Sequence, residues 1–221
     1  MYPSPLLEEA EEVVSEIEKL GRKATALYLD MAKLAERDSF VDEFKKVLQH
    51  TFNASQFDYL IHNAGQGATV PIENVTESIF DELLNVHFKG VYFLTQQLIS
   101  SVRDKGSVIF ISSGTTRFCV PGYSVYSSMK AAVEVFSKYV AKEYGARGIR
   151  ANVVAPGPIE TDFNNAAIRN NPQMKNFLSG LSPLGRVGNA NDIGSVVAFL
   201  CSDDARWINA QRIEVSSGIN M

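Results

Sequence analysis

Tyr126 and Lys130, four residues apart in the run YSSMK, are the side chains in this sequence best suited to moving a proton. On a helix such a pair shares one face, about 6 Å apart along the axis, so one ammonium can lie beside one phenol. A free tyrosine titrates at about 10 and is a poor acid or base at neutral pH; a neighbouring cation favours the phenolate and draws that value down. Tyrosine–lysine pairs at this spacing also arise on helices by chance, so their setting has to decide. Ser113 closes an apolar run, SVIFISS, thirteen residues before Tyr126. Tyr123 has Ser127 and no lysine four residues on, which suits packing or a pocket wall.

The chain that must position these groups has 221 residues, 45% hydrophobic and 21% charged. That is enough for one sizeable core, and a single domain over 1–221 is expected. A net charge of −4 without an aromatic–basic stripe disfavours nucleic acid, and no cluster of Lys and Arg suggests a membrane surface. No apolar run approaches the ~20 residues of a membrane span. Cys119 and Cys201 match no metal or redox spacing and are expected as buried thiols in a reducing compartment. Glu8, Glu9, Glu11 and Glu12 stand where a secretory signal would be apolar, so a cytoplasmic protein is expected.

Hydrophobic periodicity predicts a helix over 6–21, a strand in ATALYLD ending at Asp30, a helix over about 33–52 and a strand in FDYLI. A long helix over 76–102, the strand SVIFISS and a helix over 123–145 follow. The strands RANVVAP and RIEVSS come last, with a Gly/Pro/Asn-bearing loop region and a helix near 191–202 between them. Strands that alternate with helices and are apolar throughout indicate an α/β domain, a doubly wound parallel sheet of Rossmann-like type. In such sheets ligands sit beyond the carboxyl ends of the strands.

Four clusters lie there: His62-Asn63-Ala64-Gly65, Ser112-Ser113-Gly114, Tyr126-Ser127-Ser128-Met129-Lys130 and Pro156-Gly157-Pro158-Ile159-Glu160-Thr161. In this order and at these intervals they resemble the short-chain dehydrogenase/reductase family over essentially the whole chain. The resemblance implies an oxidoreductase that binds NAD or NADP and moves a hydride between the nicotinamide and a carbonyl or alcohol carbon of a small-molecule substrate. Tyr126 matches the general acid or base, and Ser113 the hydroxyl that holds the substrate oxygen. Lys130 matches the residue that bonds the nicotinamide ribose and lowers the tyrosine pKa. Asn63 and Gly65 match the turn beside the adenosine half of the cofactor, and Asp30 the carboxylate at the adenine. Pro156, Ile159 and Thr161 match the segment along the nicotinamide carboxamide. A homo-dimer or homo-tetramer through 76–102 and 123–145 is also implied. The substrate pocket is expected between Thr115–Tyr123 and 158–188, with Phe118, Phe163, Phe177 and Leu178 as walls.

Two departures stand out. The family carries asparagine three residues before the glycine of NVHFKG, where it fixes a water that hands protons to the lysine; here that place holds His87. An imidazole can both donate to and accept from water, so a relay is one expectation, and a histidine packed against the sheet is the other. Asn85, two residues away, points elsewhere. The second departure is the family's glycine-rich loop, T-G-x-x-x-G-x-G, whose amides hold the cofactor pyrophosphate. That string does not occur in the 221 residues, and MYPSPLLEEAEEVV resembles the stretch just after the family's second strand. Roughly 35 residues of the pattern, including the central first strand, are therefore expected to be missing. ATALYLD would then lack a ladder partner and FDYLI would have an open edge. Either the native protein is longer, or the chain is a non-catalytic remnant of the fold serving as a binding or oligomerisation module.

Overall fold

The computed structural model describes residues 4–220, which divide into two compact units at Gln56/Phe57. In the first unit α1 (Ser4–Lys19) and α2 (Arg37–Phe52) flank a stretch whose one regular element is the 3-10 turn Leu34–Glu36. Asn53 ends α2 in the left-handed conformation, φ 51°, and its N–H returns to the Leu48 carbonyl. Residues 24–30, expected as a strand, form no ladder; a strand persists only where a neighbour takes its backbone hydrogen bonds, and this unit contains none among its described residues.

The second unit carries the sheet. Its strands are β1 (Phe57–His62), β2 (Val102–Ile111), β3 (Arg150–Pro156) and β4 (Arg212–Val215), all parallel in the order β1-β2-β3-β4. The α/β, Rossmann-like class is thereby met. Val108, Ile109 and Phe110 are all fully buried, as the unbroken apolar run predicts for a strand covered on both faces. Ile109 and Val154 meet Leu200 of α8 (Ala190–Cys201) on one side. Phe110 turns the other way and meets Phe136 of α5 (Ser124–Tyr144), ring centroids 5.7 Å apart. β1 is an edge strand, with Tyr59 and Ile61 47% and 45% exposed, as expected of FDYLI.

Two expectations change. The helix over 76–102 is interrupted: α3 (Glu77–Leu84) passes through a π-helical turn, Asn85–Lys89, into α4 (Gly90–Leu98), and β2 already begins at Val102. Between Tyr59 and Phe57 the β1–β2 register slips, with Lys105 at φ 66° in the extra loop. The loop region instead contains α6 (Phe163–Asn170) and α7 (Pro172–Leu181). α7 starts on an Asn171 cap that accepts from Met174 N, followed by proline at the first helical position, a start signal present in the sequence. Among the described residues no helix is long and apolar enough to cross a membrane.

Candidate active site

Because the strands are parallel and in register, the segments after β1, β2 and β3 leave the same edge of the sheet. Helix α5 delivers side chains to the exit of β2 at steps of four. Tyr126 is bonded to Ser113, the Lys130 ammonium donates to the Ile111 carbonyl at 2.8 Å, and Glu134 accepts from Ser112 Oγ at 2.6 Å. Three consecutive β2-exit residues are thus each held by one turn of one helix. Gly114 backs onto the exit of β3: a Cβ there would stand 3.3 Å from the Pro156 carbonyl oxygen and 2.8 Å from Phe118.

His87 comes from the π-helical turn and meets Tyr126 edge to face, centroids 5.0 Å apart. It is 1% exposed, and its Nε2 lies 2.8 Å from the Gln66 carbonyl oxygen. A carbonyl only accepts, so Nε2 carries the hydrogen and Nδ1 is a bare acceptor, buried and without a partner. Gly65 closes this corner: a Cβ on it would approach His87 Cε1 to 3.1 Å and Lys130 Nζ to 3.8 Å.

Burial sets the protonation states. It pushes the Tyr126 phenol up to about 12, against a smaller pull from the Ser113 hydrogen bond. The expected lowering by Lys130 is therefore reversed: the ammonium sits over the ring, 5.7 Å from its centroid, and gives a hydrogen to Ile111. Burial also lowers Lys130, to about 8. His87 falls to about 4 through burial first and the Lys130 charge second. His62, fully desolvated and also under the Lys130 charge, falls to about 3. Its Nε2–H is accepted by Thr95 Oγ1 at 2.8 Å, whose own hydrogen goes to the Val91 carbonyl.

Ser113, Tyr126, Lys130, His87 and Gly65 are thus brought together. Asn63 lies in the exposed turn after β1. Pro156 ends β3, Ile159 forms a bridge to Gly188, and Thr161 Oγ1 accepts from Phe163 N at 3.3 Å. Asp30 lies in the first unit, where it accepts from Ala32 N at 3.0 Å and pairs with Lys33. Of the expected walls, Phe163 stands 6.1 Å from the Tyr126 ring, whereas Phe177 is 66% exposed. A cavity of about 510 Å³ opens beside them, lined by Gly65, Gln66, Gly67, Leu83, Phe163 and Asn164.

Four charged residues were not singled out from sequence. Arg117 grips Glu214 with two hydrogen bonds of 2.7 and 2.6 Å, and these hold the Glu214 carboxyl down at about 2. Arg212 joins Glu214 to Glu134. Only Glu134 had a local signal, eight residues and so two helical steps beyond Tyr126.

A parallel sheet with serine, tyrosine and lysine gathered at one strand exit defines an oxidoreductase fold of one kind, and the chain belongs to the short-chain dehydrogenase/reductase family. The family model that matches, over residues 5–220, is described as enoyl-(acyl carrier protein) reductase. The chain is 34% identical to the hydroxynaphthalene reductase-like protein Arp2 of Metarhizium brunneum, over 95% of its own length and 80% of the relative's. It is 34% identical to the tetrahydroxynaphthalene reductase PfmaG of Pestalotiopsis fici, covering 95% of this chain and 77% of that one. The crystal structure of the angucycline C-6 ketoreductase LanV with bound NADP superposes with a TM-score of 0.90, at 34% identity, covering 96% of this chain and 81% of that one.

The two buried histidines make an acid prediction. In the unfolded chain each takes a proton near pH 6.5, while folded His87 and His62 refuse it until about 4 and about 3. The unfolded state therefore binds more protons in this window, and stability falls as pH drops from about 6.5 toward 4, by up to about 1.4 kcal/mol per pH unit for each histidine. The depressed carboxyls of Asp192 and Glu214 add to the loss only below their ordinary values of 3.8 and 4.5. Urea midpoints are expected to fall steadily between pH 7 and 5, with a shallower slope in His62→Gln. Midpoints level across that range would mean that the histidines are not held neutral.

Proposed function

We propose that this protein reduces a ketone to a secondary alcohol, or runs the reverse reaction, with NAD or NADP as the hydride carrier. The observation that carries this is the convergence of a protonated Tyr126, Ser113 and a buried Lys130 at one strand exit. The residues suit a nicotinamide riboside: Lys130 offers a buried ammonium, Gly65 leaves the space a Cβ would fill, and His87 Nδ1 is an acceptor awaiting a donor. LanV, whose structure was solved with NADP, supports the same reading.

A dinucleotide held there would supply the hydride. Ser113 Oγ accepts from Thr115 N at 3.2 Å and from Thr115 Oγ1 at 2.9 Å, which leaves its own hydrogen to point at the substrate oxygen or at Tyr126. As negative charge develops on that oxygen, the Ser113 hydrogen bond strengthens and Tyr126 delivers its proton. A phenol held at about 12 is fully protonated at neutral pH, the form that reduction requires. Lys130 would hold the ribose hydroxyls and keep a positive charge at the Tyr126 ring as the phenolate forms. His87 Nδ1, which carries no hydrogen, is placed to accept one from the Lys130 ammonium, directly or over one water, and so to orient it. Asn63, Pro156, Ile159 and Thr161 complete the cofactor contacts in this reading. The family match across 5–220 supports treating residues 1–221 as one oxidoreductase domain. The two free cysteines fit a cytoplasmic place of action.

A flat, aromatic or partly apolar ketone suits the rings of Tyr123 and Phe163, 5.9 and 6.1 Å from that of Tyr126. Relatives named for naphthalene and angucycline substrates support the same class. A fused-ring ketone such as tetralone is therefore the assay substrate, and Tyr126→Phe is expected to lower its reduction by 10²–10⁴-fold, about the range that proton transfer contributes. A variant that kept more than about a tenth of the parent rate would remove Tyr126 from the acid's place.

No T-G-x-x-x-G-x-G string lies within the 221 residues, so in this reading their cofactor contacts reach adenosine and nicotinamide riboside but not the pyrophosphate. Several charge-assisted hydrogen bonds, at about 1.5–3 kcal/mol each, are then missing, and dissociation constants move from micromolar toward millimolar. Titration of these residues alone with NADH and NADPH checks this; a constant of a few micromolar would show another segment cradling the phosphates.

A homo-dimer or homo-tetramer through 76–102 and 123–145 belongs to the same reading, supported by Tyr92 and Tyr139, 40% and 61% exposed there. Light scattering is expected to return a multiple of the chain's 24.3 kDa; a monomer mass would rule both out.

A further inference from the structure

We infer that Arg212 is a positioning residue for the Ser113 hydroxyl, acting from β4 through the Ser113 backbone with Glu134 as its counter-ion. The inference rests on the carbonyl reduction proposed above. Arg212 reaches from β4, two strands away from β2, to the loop that follows β2. Its Nε donates to Glu134 Oε1 at 2.9 Å, and its Nη1 to Glu214 Oε2 at 3.0 Å. Its Nη2 donates to the Ser113 carbonyl oxygen at 3.2 Å and to Thr116 Oγ1 at 3.1 Å.

Neutralising Glu214 does not require this reach, because Arg117 already grips that carboxylate with two hydrogen bonds. What Arg212 adds is a hold on both ends of the turn Gly114–Thr116, which carries Ser113 at its cap. Glu134 completes the hold from the helix side, accepting from Ser112 Oγ and from Thr116 Oγ1 at 2.6 and 2.7 Å. The Ser113 carbonyl is held by Arg212 together with Thr116, whose Oγ1 Arg212 also binds, and the Ser113 hydroxyl oxygen is held by Thr115, which leaves the direction of its O–H bond to be set. The same helix presents Tyr126 two turns before Glu134, so one ion pair ties together the elements that carry the proton donor and the substrate hydrogen bond.

The planar fork of a guanidinium can span Glu134, Ser113 and Thr116 together, while an ammonium is a single point of charge. Arg212→Lys keeps a cation for Glu134 and loses the bridge. In the full chain, at saturating dinucleotide, this variant is expected to stay folded, keep the parent's KM for the dinucleotide and lose roughly ten- to a hundredfold in kcat for tetralone. In a Ser113→Ala background the same change is expected to cost little further. An equal loss of kcat in both backgrounds would overturn the inference, because Arg212 would then act without Ser113. Its crystal structure is the second readout: a displaced Ser113 carbonyl and 114–116 turn are expected, and an unmoved turn overturns the inference. Absence of turnover in the parent would overturn the reduction itself, and the crystal structure would then decide the place of Arg212 alone.

Discussion

A buried ammonium organises the site. Lys130 is 5% exposed, and a charge withdrawn from water has to be met by acceptors or shed its proton. The structure meets it with the Ile111 carbonyl, and the residual strain shows as the fall of its pKa to about 8. Its field reaches the two histidines that flank it, His62 and His87, both already disfavoured as cations by burial. Gly65 lies against both groups: a Cβ there would crowd the imidazole at 3.1 Å and touch the ammonium at 3.8 Å. Strand exit, π-helical turn and helix α5 are therefore arranged around one charge.

A second electrostatic layer lies next to the first. Glu134, Arg212, Glu214 and Arg117 carry two charges of each sign, so the partly buried cluster is neutral as a whole. It joins β4, α5, the exit of β2 and the chain's last turn, where Arg117 also takes the carbonyls of Ile219 and Asn220. Regular structure fixes Tyr126 and Lys130; the turn that carries Ser113 has little regular structure of its own and is fixed by side chains.

The sequence made some of this legible and hid the rest for physical reasons. RANVVAP matches β3 residue for residue, its Val-Val-Ala run closed by a proline that ends the strand. Ser113, Tyr126 and Lys130 could be read because helix periodicity and strand ends are local. Arg212 and Glu134 could not, since their pairing joins residues 78 apart in the chain and depends on the order of the strands. The π-helical turn was hidden too: NVHFK is ordinary helix-compatible sequence, and the extra residue in the turn leaves no periodicity long enough to see. ATALYLD has a strand's composition, but composition cannot supply a ladder partner.

The order β1-β2-β3-β4 has a kinetic consequence. Among the described residues β2, β3 and β4 each pair with the strand before them in the chain, and none is inserted between two already joined. The sheet can therefore grow in one direction during synthesis, each new strand docking on an edge already made, with loop closures no longer than one crossover.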